Sequence, residues 1–118
     1  GSVWCWGDNS EGGLGNGTFD SSLVPIESSI PEDAVNIAVG YWSTCAITDS
    51  GSVFCWGRGV SGQLGNGSII PSSLPVEVLE LADAVSITAG SEHYCVIDSN
   101  SELWCWGSGY ATDRRSLW

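Results

Sequence analysis

The sequence predicts an all-β fold built of antiparallel, four-stranded propeller blades, and two observations carry that prediction. The first is a period of 50 residues: GSVWCWG at 1–7 returns as GSVFCWG at 51–57 and as SELWCWG at 101–107. The second is that short apolar stretches alternate with polar residues and are separated by glycine-rich turns, as in half-buried strands. Repeats of a few tens of residues with several short antiparallel strands each are typical of β-propellers.

The period divides the chain into one repeat array over residues 1–118. The first repeat covers residues 1–50, the second covers 51–100, and 101–118 begin a third. Glycines, apolar residues and cysteines all coincide when the first two repeats are aligned, so chance does not explain the match. We therefore expect about two blades and part of another.

Four strands are expected in each repeat. Residues 84–90 (AVSITAG) alternate in period two and predict the first strand. Residues 44–48 and 52–56 are rich in β-branched and aromatic residues, and the Asp-Ser-Gly turn between them predicts a hairpin. Residues 74–79 predict an outer strand, because Pro75 suits a strand at the edge of a sheet.

No long helix is expected. The best helical candidate is EVLELADA at 77–84, which is expected to form a turn or two at most. No apolar run approaches the roughly 18 residues that a membrane span needs, so no membrane insertion is expected.

The cysteine spacing predicts two disulfides, Cys45–Cys55 and Cys95–Cys105. Each pair flanks a hairpin turn symmetrically, and residues facing each other across antiparallel strands come within reach of a disulfide. Zinc would require cysteines or histidines at shorter spacing, which the sequence lacks. Reduced, buried thiols are the other alternative.

Cys5 is left without a partner by this pairing. The repeat places its partner ten residues upstream, before Gly1. The simpler interpretation is that the sequence is a segment of a longer protein. The other is an intermolecular bridge, in which a neighbouring subunit supplies the missing cysteine.

The charge is strongly negative. Fourteen acidic residues face three arginines (Arg58, Arg114 and Arg115), there is no lysine, and the net charge is −11. Such a surface repels phosphate backbones and anionic lipid, so we expect no nucleic-acid partner. Cysteine at this density, without lysine, is more typical of a secreted, extracellular chain.

Two blades alone leave both flanks open, because each blade buries its faces only against its neighbours. The expected partners are therefore proteins: other blades of the same chain, or other subunits. A homo-oligomer or a filament would also cover the open ends, since head-to-tail contacts that do not close propagate.

No catalytic, metal-binding or cofactor-binding residues are expected, and the chain is not expected to be an enzyme. His93 is the only histidine. A triad of Ser91, His93 and Asp98 has no support beyond composition. The segment DNSEG at 8–12 faintly resembles a calcium loop, but the second repeat has RGVSG there, which favours a turn.

Asn16 and Asn66 each begin an N-glycosylation sequon, Asn-Gly-Thr and Asn-Gly-Ser. The alternative is that Asn-Gly stands at both places for turn geometry, because both residues tolerate a positive φ. Glycans are expected only in a eukaryote that secretes the chain.

Aromatic and acidic residues of the loops are the candidates for partner contacts. Trp6, Trp56 and Trp106 recur with the repeat and are expected to pack between blades, as are Trp4, Phe54 and Trp104. Trp42 lies where the second repeat has Glu92, and an exposed tryptophan there would be a binding anchor. The candidate contact residues are Trp42, Tyr41, Asp8, Glu11, Glu92 and Tyr110.

Three motifs in order, G-x-V-x-C-W-G, G-x-L-G-N-G and A-V-x-I-x-x-G-x-x-x-x-C, resemble the regulator of chromosome condensation repeat. The resemblance runs from Gly1 to about Gly109 and is closest to the cysteine-bearing bacterial and extracellular form. It implies a seven-bladed propeller of roughly 350 residues, of which this chain would be about one third. It implies no single activity, because relatives include an exchange factor, a photoreceptor and an enzyme inhibitor.

The sequence therefore predicts a non-enzymatic extracellular module of propeller repeats that serves as an interaction surface or as a structural part of an assembly. The alternative is a secreted, propeller-type inhibitor of another enzyme. A guanine nucleotide exchange factor is less expected, because the paired cysteines and the acidic charge argue against a chromatin role.

Overall fold

The structure is a computed structural model that describes residues 1–108. All regular secondary structure in this range is β-strand. The described residues contain no helix that could cross a membrane. The strands are, in chain order, β1 (Trp4–Gly7), β2 (Ser22–Glu27), β3 (Ala34–Val39), β4 (Ser43–Thr48), β5 (Val53–Gly57), β6 (Ser72–Glu77), β7 (Ala84–Ala89), β8 (His93–Asp98) and β9 (Leu103–Gly107).

The strands form three antiparallel sheets. One complete blade has the order β3-β4-β5-β6, while β1-β2 and β7-β8-β9 form sheets of two and three strands. By position in the repeat, β1 and β2 are the third and fourth strands of a blade. The predicted all-β fold of four-stranded blades is confirmed, and the complete blade crosses the boundary between residues 50 and 51.

The helical candidate at residues 77–84 is not helical. β6 ends at Glu77 and β7 begins at Ala84, and the residues between them form a turn. Glu80 and Asp83 have φ values of 59° and 58°, in the left-handed region. A right-handed helix excludes both conformations, so its hydrogen bonds cannot form through this segment.

The cysteines lie opposite each other across the central hairpins. Cys45 pairs in register with Cys55, and Cys95 with Cys105, with Cα–Cα distances of 4.0 and 4.1 Å. The sulfur atoms of each pair are 2.11 Å apart, which is disulfide distance. The geometry supports the predicted pairing, and Cys5 forms no disulfide with any residue of the described part.

The two hairpin turns reach the same shape with different residues. Gly51 takes a φ of 84° after β4, and Ser101 takes 63° at the corresponding place after β8. The second turn is braced by Asp98, whose carboxylate accepts hydrogen bonds from the Asn100 and Glu102 amides and from the Trp104 indole, each 2.9 Å long. The Glu102 amide contributes most to lowering the pKa of that carboxyl.

Successive blades are joined by a tryptophan that lies on the glycine loop of the blade before it. Trp56 Nε1 donates to the Gly13 carbonyl at 3.0 Å, and Trp106 Nε1 donates to the Gln63 carbonyl at 2.9 Å. Both indoles are fully buried. A Cβ on Gly15 would lie 2.7 Å from Trp56 Nε1, so the indole requires glycine at that position.

Exposure differs sharply among the tryptophans that were expected to pack between blades. Trp56 and Trp106 are 0% exposed, whereas Trp6 is 61% exposed and Trp4 is 54% exposed. Phe54 and Trp104 are partly buried against the core. The packing role is observed where a preceding glycine loop is present, and Trp6 meets no such loop within residues 1–108.

Candidate functional site

Loops from three sheets meet at one end of the array. The Arg58 guanidinium of the complete blade lies by Glu11 of the first sheet and Glu92 of the third, and Asp8, Glu11 and Trp42 line one small cavity. We call this the loop end and define it as Asp8, Glu11, Tyr41, Trp42, Arg58 and Glu92. It gathers every predicted contact residue except Tyr110, which lies outside the described residues.

The most distinctive feature of the loop end is an exposed aromatic pair. Tyr41 and Trp42 stack with ring centroids 5.1 Å apart and planes 12° from parallel, and both rings are about half exposed. The second repeat has Ser91 and Glu92 at these positions, so the aromatic pair is not part of the pattern that the two repeats share. Exposed, rigid aromatic rings are the side chains that most often anchor protein interfaces.

The backbone beneath the pair is held on both sides. Tyr41 N donates to the Ser91 carbonyl at 2.7 Å, and the Trp42 carbonyl accepts from Arg58 N. Trp42 has a φ of 67°, which is uncommon for a bulky residue. A Cβ on Gly57 would lie 2.5 Å from the Trp42 oxygen, so glycine is needed for this approach. Strain held in this way is typical of functional positions.

Arg58 lies between carboxylates of the two sheets on either side of its own. Its guanidinium lies 3.8 Å from Glu11 and 3.9 Å from Glu92, and Glu92 also accepts a 2.6 Å hydrogen bond from the Ser61 hydroxyl. Asp8 accepts from Ser10 N at 2.7 Å, and that hydrogen bond is the largest cause of its lowered pKa. Three carboxylates and one guanidinium leave the loop end negatively charged.

Asn9 organises the loop that carries Asp8 and Glu11. This buried side chain donates to the Thr18 and Asp20 carbonyls at 2.8 and 3.0 Å and accepts from Leu14 N at 2.9 Å. These bonds explain the segment at 8–12 as a structured turn, in agreement with the turn expected there. No group of histidine, cysteine or acidic side chains in residues 1–108 is arranged to hold a metal ion.

Tyr94 braces the loop end from the next blade. Its hydroxyl lies 2.7 Å from the Ser43 hydroxyl and accepts a hydrogen bond from Gly40 N at 3.2 Å. Its ring stacks on Trp106 with centroids 6.0 Å apart. Burial raises the pKa of Tyr94 to about 12. The first repeat has Thr44 at the position of Tyr94.

Alkaline pH is expected to destabilise the chain through Tyr94. A pKa of about 12 in the fold against 10.0 for the ordinary group stabilises the fold below pH 10, and this contribution is lost as pH rises to 12. The full loss is about 3 kcal/mol in the free energy of unfolding. Urea denaturation at pH 9 to 12 measures it. Tyr94→Phe should remove this pH dependence, and an unchanged slope in that variant would contradict the assignment.

The predicted glycosylation sites lie in the glycine loops. Asn16 Oδ1 accepts hydrogen bonds from the Thr18 amide and hydroxyl at 3.2 and 3.0 Å, and Asn66 Oδ1 accepts from Ser68 N at 3.2 Å. Both asparagines are partly exposed and form local turns. The turn role is observed, and glycosylation of Asn16 and Asn66 stays a prediction.

The side chains of His93 and Asp98 pack against or hydrogen-bond to neighbouring parts of the fold. The His93 ring lies so close to Gly90 that any Cβ there would clash with it. The Asp98 carboxylate is engaged by the turn amides and by the Trp104 indole. Sequence reasoning missed Arg58, because its partners Glu11 and Glu92 are distant along the chain. It also missed Asn9, because the hydrogen bonds of this side chain depend on how its own loop folds back on itself.

Comparison with known protein families identifies the repeat. Residues 1–47 and 50–97 match the model described as "Regulator of chromosome condensation (RCC1) repeat". A second model with the same description matches residues 34–63 and 84–111. A search of curated proteins found no match.

Solved propellers share the fold. The chain is similar to human WBSCR16, with 24% identity, a TM-score of 0.78, and coverage of 98% of this chain and 33% of that one. It is similar to the crystal structure of Kap60 bound to yeast RCC1 (Prp20), with 19% identity, a TM-score of 0.72, and coverage of 90% and 27%. For Prp20p from Saccharomyces cerevisiae the values are 21%, 0.74, 90% and 29%. The chain thus spans about a third of the length of these structures.

Proposed function

Because the chain belongs to the regulator of chromosome condensation (RCC1) repeat family, we propose that it is a non-enzymatic, extracellular protein-interaction module of propeller repeats. The observation that carries the proposal is the stacked, half-exposed pair Tyr41–Trp42, whose backbone is held by Ser91 of the next blade and by Arg58 of its own blade. A rigid anchor loses little conformational entropy on binding, which favours recognition of a partner.

The charge of the loop end favours a basic partner. Asp8 and Glu11 line a cavity with Trp42, Glu92 lies beside Arg58 in the same loop end, and the whole chain has a net charge of −11. Arg58 is an internal example of the interaction, since its guanidinium lies between two of these carboxylates. Yeast RCC1 (Prp20) was solved bound to Kap60, and the study of Prp20p concerns its binding to Gsp1p and histones. Protein binding by related propellers supports the same class of function here.

Two features support an extracellular location. Both hairpin cysteine pairs lie at disulfide distance, and disulfides persist in oxidising compartments. The chain also lacks lysine, although it carries fourteen acidic residues.

A secreted inhibitor of another enzyme is the second candidate. The exposed Tyr41–Trp42 pair gives the loop end the aromatic character that this candidate requires. The two candidates differ in the partner: an inhibitor binds at an active site and abolishes that enzyme's activity, whereas an interaction module leaves its partner's activity intact.

A lysine- and arginine-rich peptide is expected to bind the loop end, while a glutamate-rich peptide of equal length does not. Trp42→Ala should weaken binding by about 30-fold, the effect of losing a central aromatic anchor. Glu11→Gln should weaken it less and should reduce its dependence on salt. Isothermal titration calorimetry at two salt concentrations measures both effects.

The matched control is Trp4→Ala, which removes an exposed tryptophan of β1 outside the loop end. This variant should bind the basic peptide as the unaltered chain does. Equal weakening by Trp42→Ala and Trp4→Ala, or equal binding of the basic and acidic peptides, would contradict the proposed site.

A further inference from the structure

The guanidinium of Arg58 lies between two carboxylates without a hydrogen bond to either. Its Nη1 is 3.8 Å from Glu11 and its Nε is 3.9 Å from Glu92, and both distances exceed hydrogen-bond length. The three side chains are 26 to 30% exposed, so solvent and a partner can reach them. The contact is a loose pair of ionic interactions at the surface, and a second cation can compete for both carboxylates.

The position of this side chain leaves one of its donors unsatisfied. Arg58 Nε is buried and has no hydrogen-bond acceptor within residues 1–108. A buried donor without an acceptor costs free energy, and exposure to water removes that cost. Movement of the guanidinium into solvent therefore offsets part of the loss of the two ionic interactions, which are themselves weak at a surface. Arg58 is held where a competing cation can displace it.

A second unsatisfied donor lies in the same turn. Gln63 is fully buried, and its Nε2 has no acceptor, while its Oε1 accepts a 2.7 Å hydrogen bond from Ser61 N. Gly13 stands at this position in the first repeat. Both buried side-chain donors that lack an acceptor in the described part of the chain thus belong to the turn from Arg58 to Gln63. A rearrangement of this turn would give both donors access to water.

The two carboxylates keep their places when Arg58 moves away. Glu92 Oε1 accepts a 2.6 Å hydrogen bond from the Ser61 hydroxyl, whereas Oε2 is the oxygen that faces Arg58. Glu11 belongs to the loop that Asn9 ties together through its hydrogen bonds. Displacement of Arg58 therefore leaves a pair of carboxylates already spaced for one guanidinium.

We propose that Arg58 is an internal competitor for an arginine side chain of the partner. In the free chain Arg58 occupies the position between Glu11 and Glu92, and on binding the partner's arginine replaces it there while Arg58 moves into solvent. The inference rests on the proposed function, and it names arginine as the side chain that the loop end recognises beside the aromatic pair.

The geometry favours arginine over lysine. The planar guanidinium has donors on two sides and can reach both carboxylates at once, whereas an ammonium group is a single point of charge. The Arg58 amide donates to the Trp42 carbonyl at 2.8 Å, so the position between the carboxylates adjoins the aromatic anchor. An arginine of the partner would therefore lie next to whatever group covers Trp42.

An internal competitor weakens the apparent affinity, because only the fraction of molecules with Arg58 displaced can accept the partner's arginine. Arg58→Gln removes the competitor and should raise the affinity for an arginine-rich peptide by about tenfold. The same substitution in a chain that also carries Glu11→Gln and Glu92→Gln should give no gain, since the contested carboxylates are then absent. A general effect of charge would give equal gains in the two backgrounds. Isothermal titration calorimetry measures all four affinities.

A small probe separates this inference from the proposed function. N-acetylarginine amide, followed by NMR, should bind Arg58→Gln more tightly than the unaltered chain. It should not bind the variant that combines Arg58→Gln with Glu11→Gln and Glu92→Gln. N-acetyllysine amide is the matched control and should bind Arg58→Gln more weakly than the arginine compound does.

Hydrogen exchange gives a direct view of the displacement. The Arg58 Nε–H is buried in the free chain, so saturation with the arginine-rich peptide should speed its exchange. Unchanged exchange in the complex, or equal binding of N-acetylarginine amide by Arg58→Gln and the combined variant, would overturn the inference. Equal peptide binding by Trp42→Ala and Trp4→Ala would instead contradict the proposed function, because the small probe does not depend on the aromatic pair.

Discussion

Replacing Trp56 with alanine is expected to lower the free energy of unfolding by about 3 to 5 kcal/mol. The indole is fully buried between two blades and donates a hydrogen bond to the Gly13 carbonyl. Its removal leaves a cavity at the boundary and an unpaired carbonyl. The loss is a large part of the roughly 5 to 15 kcal/mol that stabilises an ordinary domain. Urea denaturation followed by circular dichroism measures the change.

Trp6→Ala is the matched control, because Trp6 is the same residue of the repeat one period earlier. It is 61% exposed, so its removal should change stability by only about 0.5 kcal/mol. Trp56→Phe keeps most of the packing and provides an intermediate case if Trp56→Ala does not fold. Equal losses for Trp6→Ala and Trp56→Ala would contradict the packing of each indole on a preceding blade.

Removal of the Cys45–Cys55 pair by a double substitution to alanine is expected to cost about 3 kcal/mol. A bridge that closes a loop of about ten residues removes this much entropy from the unfolded chain on the chain-entropy model. The two cysteines face each other between β4 and β5 in the core. Chemical denaturation under non-reducing conditions measures the loss.

Cys5→Ser is the control for this experiment, because Cys5 forms no disulfide within residues 1–108. Its effect on stability should be small. Thiol titration of the denatured, unreduced chain should find Cys5 alone in the unaltered protein and no thiol in Cys5→Ser. A thiol count that includes all five cysteines would contradict both the bridges and the extracellular location.

The fold could be predicted from the sequence because the 50-residue period gives two copies of each position, so a pattern found in one repeat could be checked in the other. Residues that match in both repeats, such as Leu14 and Leu64, perform the same packing in both copies and are buried in each. Turn chemistry and apolar alternation then located most strand boundaries to within a residue or two. The helical candidate at 77–84 was misleading, because propensity is local and Glu80 and Asp83 adopt left-handed conformations.

The candidate site was less predictable, because it depends on differences between the repeats. The candidate contact residues came from aromatic and acidic loop positions, and the structure brings together those that lie within residues 1–108. The sequence did not indicate that Arg58 links Glu11 with Glu92, or that Asn9 ties its loop together. The exposure of Trp6 was also missed, since it reflects which surfaces lie beside β1 and not the residue itself.

Hydrogen exchange of the indole N–H groups, observed by NMR, tests most directly whether each blade packs its tryptophan on the glycine loop before it. Trp56 and Trp106, which are buried and donate to Gly13 and Gln63, should exchange slowest of the indoles. Trp6 should exchange rapidly, because its ring is exposed. Similar rates for Trp6 and Trp56, or rapid exchange at both Trp56 and Trp106, would contradict the account.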